Sequence, residues 1–225
     1  MSPFFTLMIY PLEIVSILLL GLMVITWLLF IFQKNASLID IACGMAIGIV
    51  AFLAFLVGDG DSTRRFLFLS LVLLWTAHLT FRRYSKYDEK LESLFYQQMR
   101  KNFGDQANIK FLFVFLFRGL LTLCCTLFFF PICFNVNPTL SLAEWVGTFT
   151  ILATLLGETA IGLNLIRFKS PLAQYPHFFE WCVWVGFAIF ALGSPYGWFG
   201  LLSSVLMFYL LYQQTPSQFF PWPKR

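Results

Sequence analysis

The chain is 225 residues long, 59% hydrophobic and only 12% charged, with 29 phenylalanines and a formal net charge of +4. A water-soluble domain of that length has too little interior to hide so much apolar surface, so lipid must solvate most of it. The positive balance is then a matter of loop topology and not a sign of nucleic-acid binding.

At the N-terminus, MSPFFTLMIYPLE has neither the basic region nor the small-residue cleavage site of a signal peptide, so the first apolar run is expected to remain as a span. A bilayer core of about 30 Å takes roughly 20 helical residues. On that measure spans are predicted at Leu12 to Phe32, Ile39 to Val57, Phe66 to Phe81, Phe111 to Cys133, Leu140 to Arg167 and Phe178 to Leu192, with a seventh from Phe199 to Tyr212. The sixth and seventh, joined by GSPYGW, are short enough to form a re-entrant hairpin instead. The expected fold is an all-α, polytopic membrane helical bundle of six or seven transmembrane helices, one integral membrane domain over residues 1–225.

The cations choose an orientation. With the N-terminus outside, Lys34, the cations from Arg82 to Lys110, Arg167, Lys169, Lys224 and Arg225 all fall inside. Arg64 and Arg65 stay outside, where Asp59 and Asp61 offset them, so the positive-inside rule favours N-out and C-in, and seven spans satisfy that parity. The location this implies is a membrane, crossed several times. Between spans three and four, residues 82–110 form the one sizeable polar segment. Leu91, Leu94, Phe95 and Met99 recur there near helical spacing, with Gly104 as a stop, and predict an amphipathic helix on the inner surface. Cys43, Cys124, Cys125, Cys133 and Cys182 lie in or beside apolar runs, at no metal or disulfide spacing, and read as packing residues.

Ionisable groups at membrane depth are the natural candidates for chemistry. Glu158 stands nine residues before Arg167, about 14 Å up the helix from that end. At 100° per residue, Glu158, Gly162, Leu165 and Lys169 share a face leading from a buried carboxylate to a surface cation. That face either lines a slot for a lipid and an anionic cofactor, or carries a protonated Glu158 that bonds a neighbouring helix. Tyr175, His177 and Glu180 cluster at the start of the sixth span, as proton donors and head-group contacts or as ordinary interface residues. Arg118 reads as a snorkelling structural cation and His78 as a packing residue. Glu144 and Asp40 lie close enough to span ends to reach the interface. No GxGxxG, P-loop, GxSxG or HExxH motif occurs, which excludes a soluble nucleotide-binding domain.

GETAIGLNLIRFK, then PHFFEWCVWVGFAIFALGSPYGW, then the terminal FFPWPK together resemble the bacterial membrane proteins known as domain of unknown function 1295. These are relatives of steroid 5-alpha-reductases and of isoprenylcysteine methyltransferase-like folds. NASLIDIACG resembles the family's early N-x-S-x-x-D motif, and LLWTAHLTFRR its third span. The resemblance implies a steroid 5-alpha-reductase-like membrane oxidoreductase that uses NADPH to reduce a carbon–carbon double bond of a lipid or sterol-like substrate. It implies cofactor contacts at Asn164, Arg167 and Lys169, with Glu158, Tyr175, His177 and Glu180 as catalytic candidates. Compared with the family pattern, the segment between Lys169 and the proline motif is short and Gly162 stands where an aspartate is usual. That shortening motivates a second expectation, a non-catalytic lipid-binding or assembly protein that keeps the fold. A proton-coupled transporter is a third, opposed by the lack of an inverted repeat.

Overall fold

The computed structural model describes residues 3–85, 87, 92–162 and 176–214. The regular elements among them are helical: α1 (Pro3–Gln33), α2 (Leu38–Val57), α3 (Ser62–Ser85), α4 (Leu94–Phe103), α5 (Ala107–Thr126), α6 (Phe129–Cys133), α7 (Leu142–Gly162), α8 (Pro176–Ala191) and α9 (Phe199–Gln214). Among the described residues four stretches are long and apolar enough to cross a membrane, Tyr10–Gln33, Leu38–Val57, Ser62–Ser85 and Leu94–Thr126, and His177–Ala191 and Phe199–Leu211 are shorter apolar helices. The protein is an all-helical membrane bundle.

The expected span from Phe111 to Cys133 is interrupted, because α5 ends at Thr126 and α6 begins at Phe129. Pro131 explains the break: its ring would collide with the carbonyl four residues back and it has no N–H to give. The expected end of the fifth span at Arg167 lies outside the described residues. The five cysteines are free thiols, and Cys43, Cys125 and Cys133 are buried, in keeping with a packing role.

Two compact units emerge, residues 1–57 with 72–126 and residues 58–71 with 127–225. In the first, α1 ends where Lys34 turns to φ 54° and its N–H still reaches the Phe30 carbonyl at 2.7 Å. Asn35 Oδ1 then accepts the Ser37 N–H at 3.0 Å, a local turn that starts α2. Glu92 holds this corner, accepting the Ala36 N–H at 2.8 Å and Arg100 at 2.7 Å. Arg100 donates also to the Lys34 carbonyl and lies over the rings of Phe30 and Phe111, 5.1 and 5.4 Å from their centroids.

The amphipathic helix forms as α4 and ends at Gly104, whose φ of 59° suits glycine. Leu94 and Phe95 are 78% and 49% exposed, whereas Tyr96 is 2% exposed. Tyr96, Met99 and Phe103 turn toward the core of Phe30, Phe111 and Phe115. The Tyr96 hydroxyl decides the rotation by donating to Asp40 Oδ1 at 3.0 Å, a bond open to tyrosine but not to leucine or phenylalanine.

In the second unit, the loop before α3 pairs with the loop after α6. Gly60 N–H donates to the Cys133 carbonyl and Asp61 N–H to that of Asn135, both at 2.9 Å. A Cβ at Gly60 would stand 2.6 Å from each of the Cys133 and Asn135 carbonyl oxygens, so only glycine fits. Asp61 caps α3 by accepting the Arg64 N–H at 2.9 Å. Phe68 packs edge-on against Phe129 and Phe187, with centroids 4.9 and 5.9 Å away.

Arg64 corrects the sequence reading most clearly. It is a buried residue rather than a solvated cation offset by Asp59 and Asp61, and Glu144 is buried with it. The two are ion-paired with side chains 1% and 0% exposed. Nε of Arg64 donates to Glu144 Oε1, Nη1 to the carbonyls of Asn135 at 3.0 Å and Asn137 at 2.6 Å, and Nη2 to that of Thr139 at 2.8 Å. Guanidinium geometry suits this fan of acceptors, which an ammonium would not match. Breaking one side of such a pair leaves a buried charge, at about 3–5 kcal/mol. Glu144→Gln is therefore expected to lower the thermal unfolding midpoint in detergent by many degrees, while Asp59→Asn at an exposed position leaves it nearly unchanged. Equal midpoints for the two variants would refute a structural role for the pair.

Candidate functional site

The candidate site sits at one end of the α7–α8 hairpin, and its geometry is set from the other end. Ser141 and Glu144 form a capping box: Glu144 Oε2 accepts the Ser141 N–H at 2.6 Å and Ser141 Oγ accepts the Glu144 N–H at 3.3 Å. The same carboxylate receives Arg64, so the start of α7 is fixed in place by its own cap. Asn135 Nδ2 reaches across to the Gly193 carbonyl at 3.1 Å and Ser194 Oγ at 3.2 Å, which secures the end of α8.

Glycines then bring the two helices together. A Cβ on Gly147 would lie 2.6 Å from the Phe190 backbone nitrogen, and one on Gly186 would lie 2.7 Å from Ile151 Cγ1. Further along, Gly157 faces Phe179 at an ordinary 3.7 Å. These contacts define one antiparallel register, with residue 147 opposite 186 to 190 and residue 157 opposite 179.

That register brings three of the candidates to the same end. Glu158 follows buried Ile151 by seven residues and Leu155 by three, placing it on the α7 face that packs on α8. Glu180 precedes buried Val183 and Phe187 by three and seven residues on α8, and is itself 3% exposed. One residue to either side of the Gly157–Phe179 contact, the two glutamates are offset along the hairpin by about 3 Å. His177 Nδ1 lies 3.9 Å from Glu180 Oε2. Aromatic rings gather at this end: Phe178 contacts Phe179 and Trp181, and Trp181 meets Phe208 of α9 with centroids 5.3 Å apart. A carboxylate buried this deeply needs a partner or a proton.

Tyr175, Asn164, Arg167 and Lys169 lie outside the described residues. Within the described part of this unit, Arg64 and Arg65 are the only lysines or arginines, and both belong to the start of α3. Two carboxylates and a histidine suit proton handling. They do not by themselves suit a diphosphate, which calls for converging cations. Among the described residues no group of three or more histidines, cysteines or acids is arranged to hold a metal.

Sequence reasoning passed over two polar constellations. One is Arg64 with Glu144, which the S-x-x-E spacing of Ser141 and Glu144 signals only for the cap. The other is Asp40, which accepts Tyr96 and has Arg118 Nη1 4.0 Å from its Oδ1. Arg83 Nη1 donates at 2.6 Å to the Asp40 main-chain carbonyl. The N-x-S-x-x-D motif thereby takes on a positional meaning: Asn35 turns the chain, Ser37 Oγ accepts the Ser93 N–H at 3.1 Å, and Asp40 seats Tyr96.

A family model described as protein of unknown function (DUF1295) matches residues 26–219, and the chain belongs to that family. No curated protein and no solved structure matches it.

The hairpin register carries its own test. Gly147→Ala puts a methyl group against backbone that cannot yield, and is expected to destabilise by about 1–3 kcal/mol. Gly157→Ala meets only ordinary contact and gains helix propensity of up to about 1 kcal/mol. Thermal midpoints in detergent should order as Gly157→Ala at or above the parent and Gly147→Ala well below. The reverse order would show that α7 and α8 meet in a different register.

Proposed function

We propose that the protein is a membrane reductase that adds hydrogen across a carbon–carbon double bond of a lipid, with the Glu158, His177 and Glu180 end of the α7–α8 hairpin as the proton-delivering half of its site. The observation that carries this reading is the burial of Glu180 3.9 Å from His177 at a helix end rich in aromatic rings. An acid–base pair whose carboxylate is buried can hold a proton for a substrate that is itself apolar.

In this reading NADPH, when bound, supplies the hydride to one carbon of the double bond. Asn164, Arg167 and Lys169 would hold it, with the two cations on its phosphates. The chain's own groups do the rest. His177 or Tyr175 delivers the proton to the second carbon, Glu180 orients His177, and Glu158 lines the apolar slot. The membrane is a bacterial plasma membrane, with the N-terminus outside and the site at the inner face, as the distribution of cations along the sequence favours.

A second reading, a lipid-binding protein without chemistry, draws support from the short segment between Lys169 and the proline motif. Titrating NADPH into detergent-purified protein separates the two through the fluorescence of Trp181 and Trp184. A reductase gives a saturable change, and NADPH is oxidised when membrane lipid extract is added. Glu180→Gln should then slow oxidation by about 100-fold, the scale of losing one acid–base group, with NADPH affinity little changed. No saturable response at millimolar NADPH overturns the reductase reading and leaves the binding protein.

A further inference from the structure

In the second unit α8 and α9 are short for membrane helices. Each has 16 residues, about 24 Å at 1.5 Å per residue, against a hydrocarbon core of about 30 Å. The sequence sets these limits, since Pro176 stands at the first position of α8 and Pro216 follows two residues past the end of α9. Tilting either helix shortens its reach across the bilayer further.

The anchoring of the hairpin decides where the shortfall lies. The turn between α8 and α9 abuts the start of α7: a Cβ on Gly193 would collide with Ser141 Oγ and the Glu144 side chain, and Asn135 Nδ2 donates to the Gly193 carbonyl at 3.1 Å. Trp145, Tyr196 and Trp198 all show exposed ring surface near this level, and such rings collect where hydrocarbon meets head groups. This end of the hairpin therefore marks a membrane boundary. Counted from it, α8 and α9 stop about 6 Å short of the opposite boundary.

The far ends of both helices are polar. His177 opens α8 with Glu180 one turn in, and α9 finishes on Gln213 and Gln214. Tyr209 is the sharper signal. It is 55% exposed and stands about 15 Å along α9 from Phe199, which is the midplane of a full-thickness core, whereas tyrosine favours the membrane–water interface. In a core of about 24 Å the same residue lies about 9 Å from the far boundary, close enough to snorkel toward it.

We propose that the α8–α9 hairpin thins the bilayer by about 6 Å at its Glu180 end, bringing lipid head groups and water to the level of His177. A helix pair shorter than the hydrocarbon draws the lipid surface toward its ends at modest cost, and the anchored turn confines the deformation to one leaflet. The inference goes beyond the reductase reading and holds with or without it. In a reductase, the thinning would shorten the path of a water-soluble reductant to Glu180.

Nitroxide labels at Leu202→Cys, Val205→Cys and Tyr209→Cys, exposed positions along one face of α9, test it in dioleoyl phosphatidylcholine vesicles with the native cysteines replaced. Collision rates with oxygen and with a water-soluble nickel chelate report the depth of each label. In the thinned bilayer Val205 and Tyr209 lie about 9 Å from opposite boundaries, so the Tyr209 label should be no deeper than the Val205 label, and the Leu202 label should be the shallowest of the three. A Tyr209 label about 6 Å deeper than the Val205 label, as a full-thickness core requires, would overturn the proposal. A Leu202 label as deep as the Val205 label would overturn it as well, because the anchored turn would then not mark a boundary.

Discussion

The Arg64–Glu144 ion pair is the constraint on which the second unit depends. Burying both charges costs several kcal/mol per ion before any attraction is counted. What offsets this is the completeness of the surroundings. Arg64 meets three main-chain carbonyls as well as the carboxylate, and Glu144 serves the cap of its own helix as well as the guanidinium. One arrangement satisfies every partner, so the pair fixes where α7 begins relative to α3 and to the 135–139 loop. With that start fixed, the approach of Gly147 to Phe190 and of Gly186 to Ile151 leaves α7 and α8 one register. Glu158 and Glu180 come to the same level because of events some four turns away.

The first unit solves a similar problem with a different charge set. Glu92 and Arg100 seal the corner between α1 and α2, and Arg100 spreads its charge over two aromatic rings. Asp40 is the hinge point of the arrangement, since its side chain accepts Tyr96 and its main chain accepts Arg83. In each unit a polar cluster sits at helix ends while phenylalanine packing fills the middle. Hydrocarbon favours that division of labour, because apolar packing alone fixes little register where lipid is as greasy as the side chains.

Most helices were legible because their signal is length and hydropathy, both local properties. α1, α2, α7, α8 and α9 fall close to the predicted spans. The interruption between α5 and α6 was also within reach, since Pro131 is visible in the sequence, yet a uniformly apolar run around it hides the break from any hydropathy count. The rotation of α4 was not legible, because both Tyr96 and Leu94 fit a helical stripe and only the distant Asp40 chooses between them. The same is true of Arg64 and Glu144. Eighty positions separate them, and a charge that appears to belong to a loop becomes a core residue only once its partner is known. Glu158, His177 and Glu180 stand out in the sequence for the opposite reason, as ionisable residues are conspicuous in apolar runs whatever they contact.

The α7–α8 hairpin brings Glu158 and Glu180 to one end, where Glu180 is buried beside His177. The central physical claim is that a fixed α7 start sets the level of the carboxylates. Nitroxide labels at Glu158→Cys and Glu180→Cys, with the native cysteines replaced, measure it most directly through dipolar broadening of the spectrum. The register predicts strong broadening in the parent background and its loss when Glu144→Gln is added. Labels that show no coupling in the parent, or coupling that survives loss of the Glu144 charge, would contradict it.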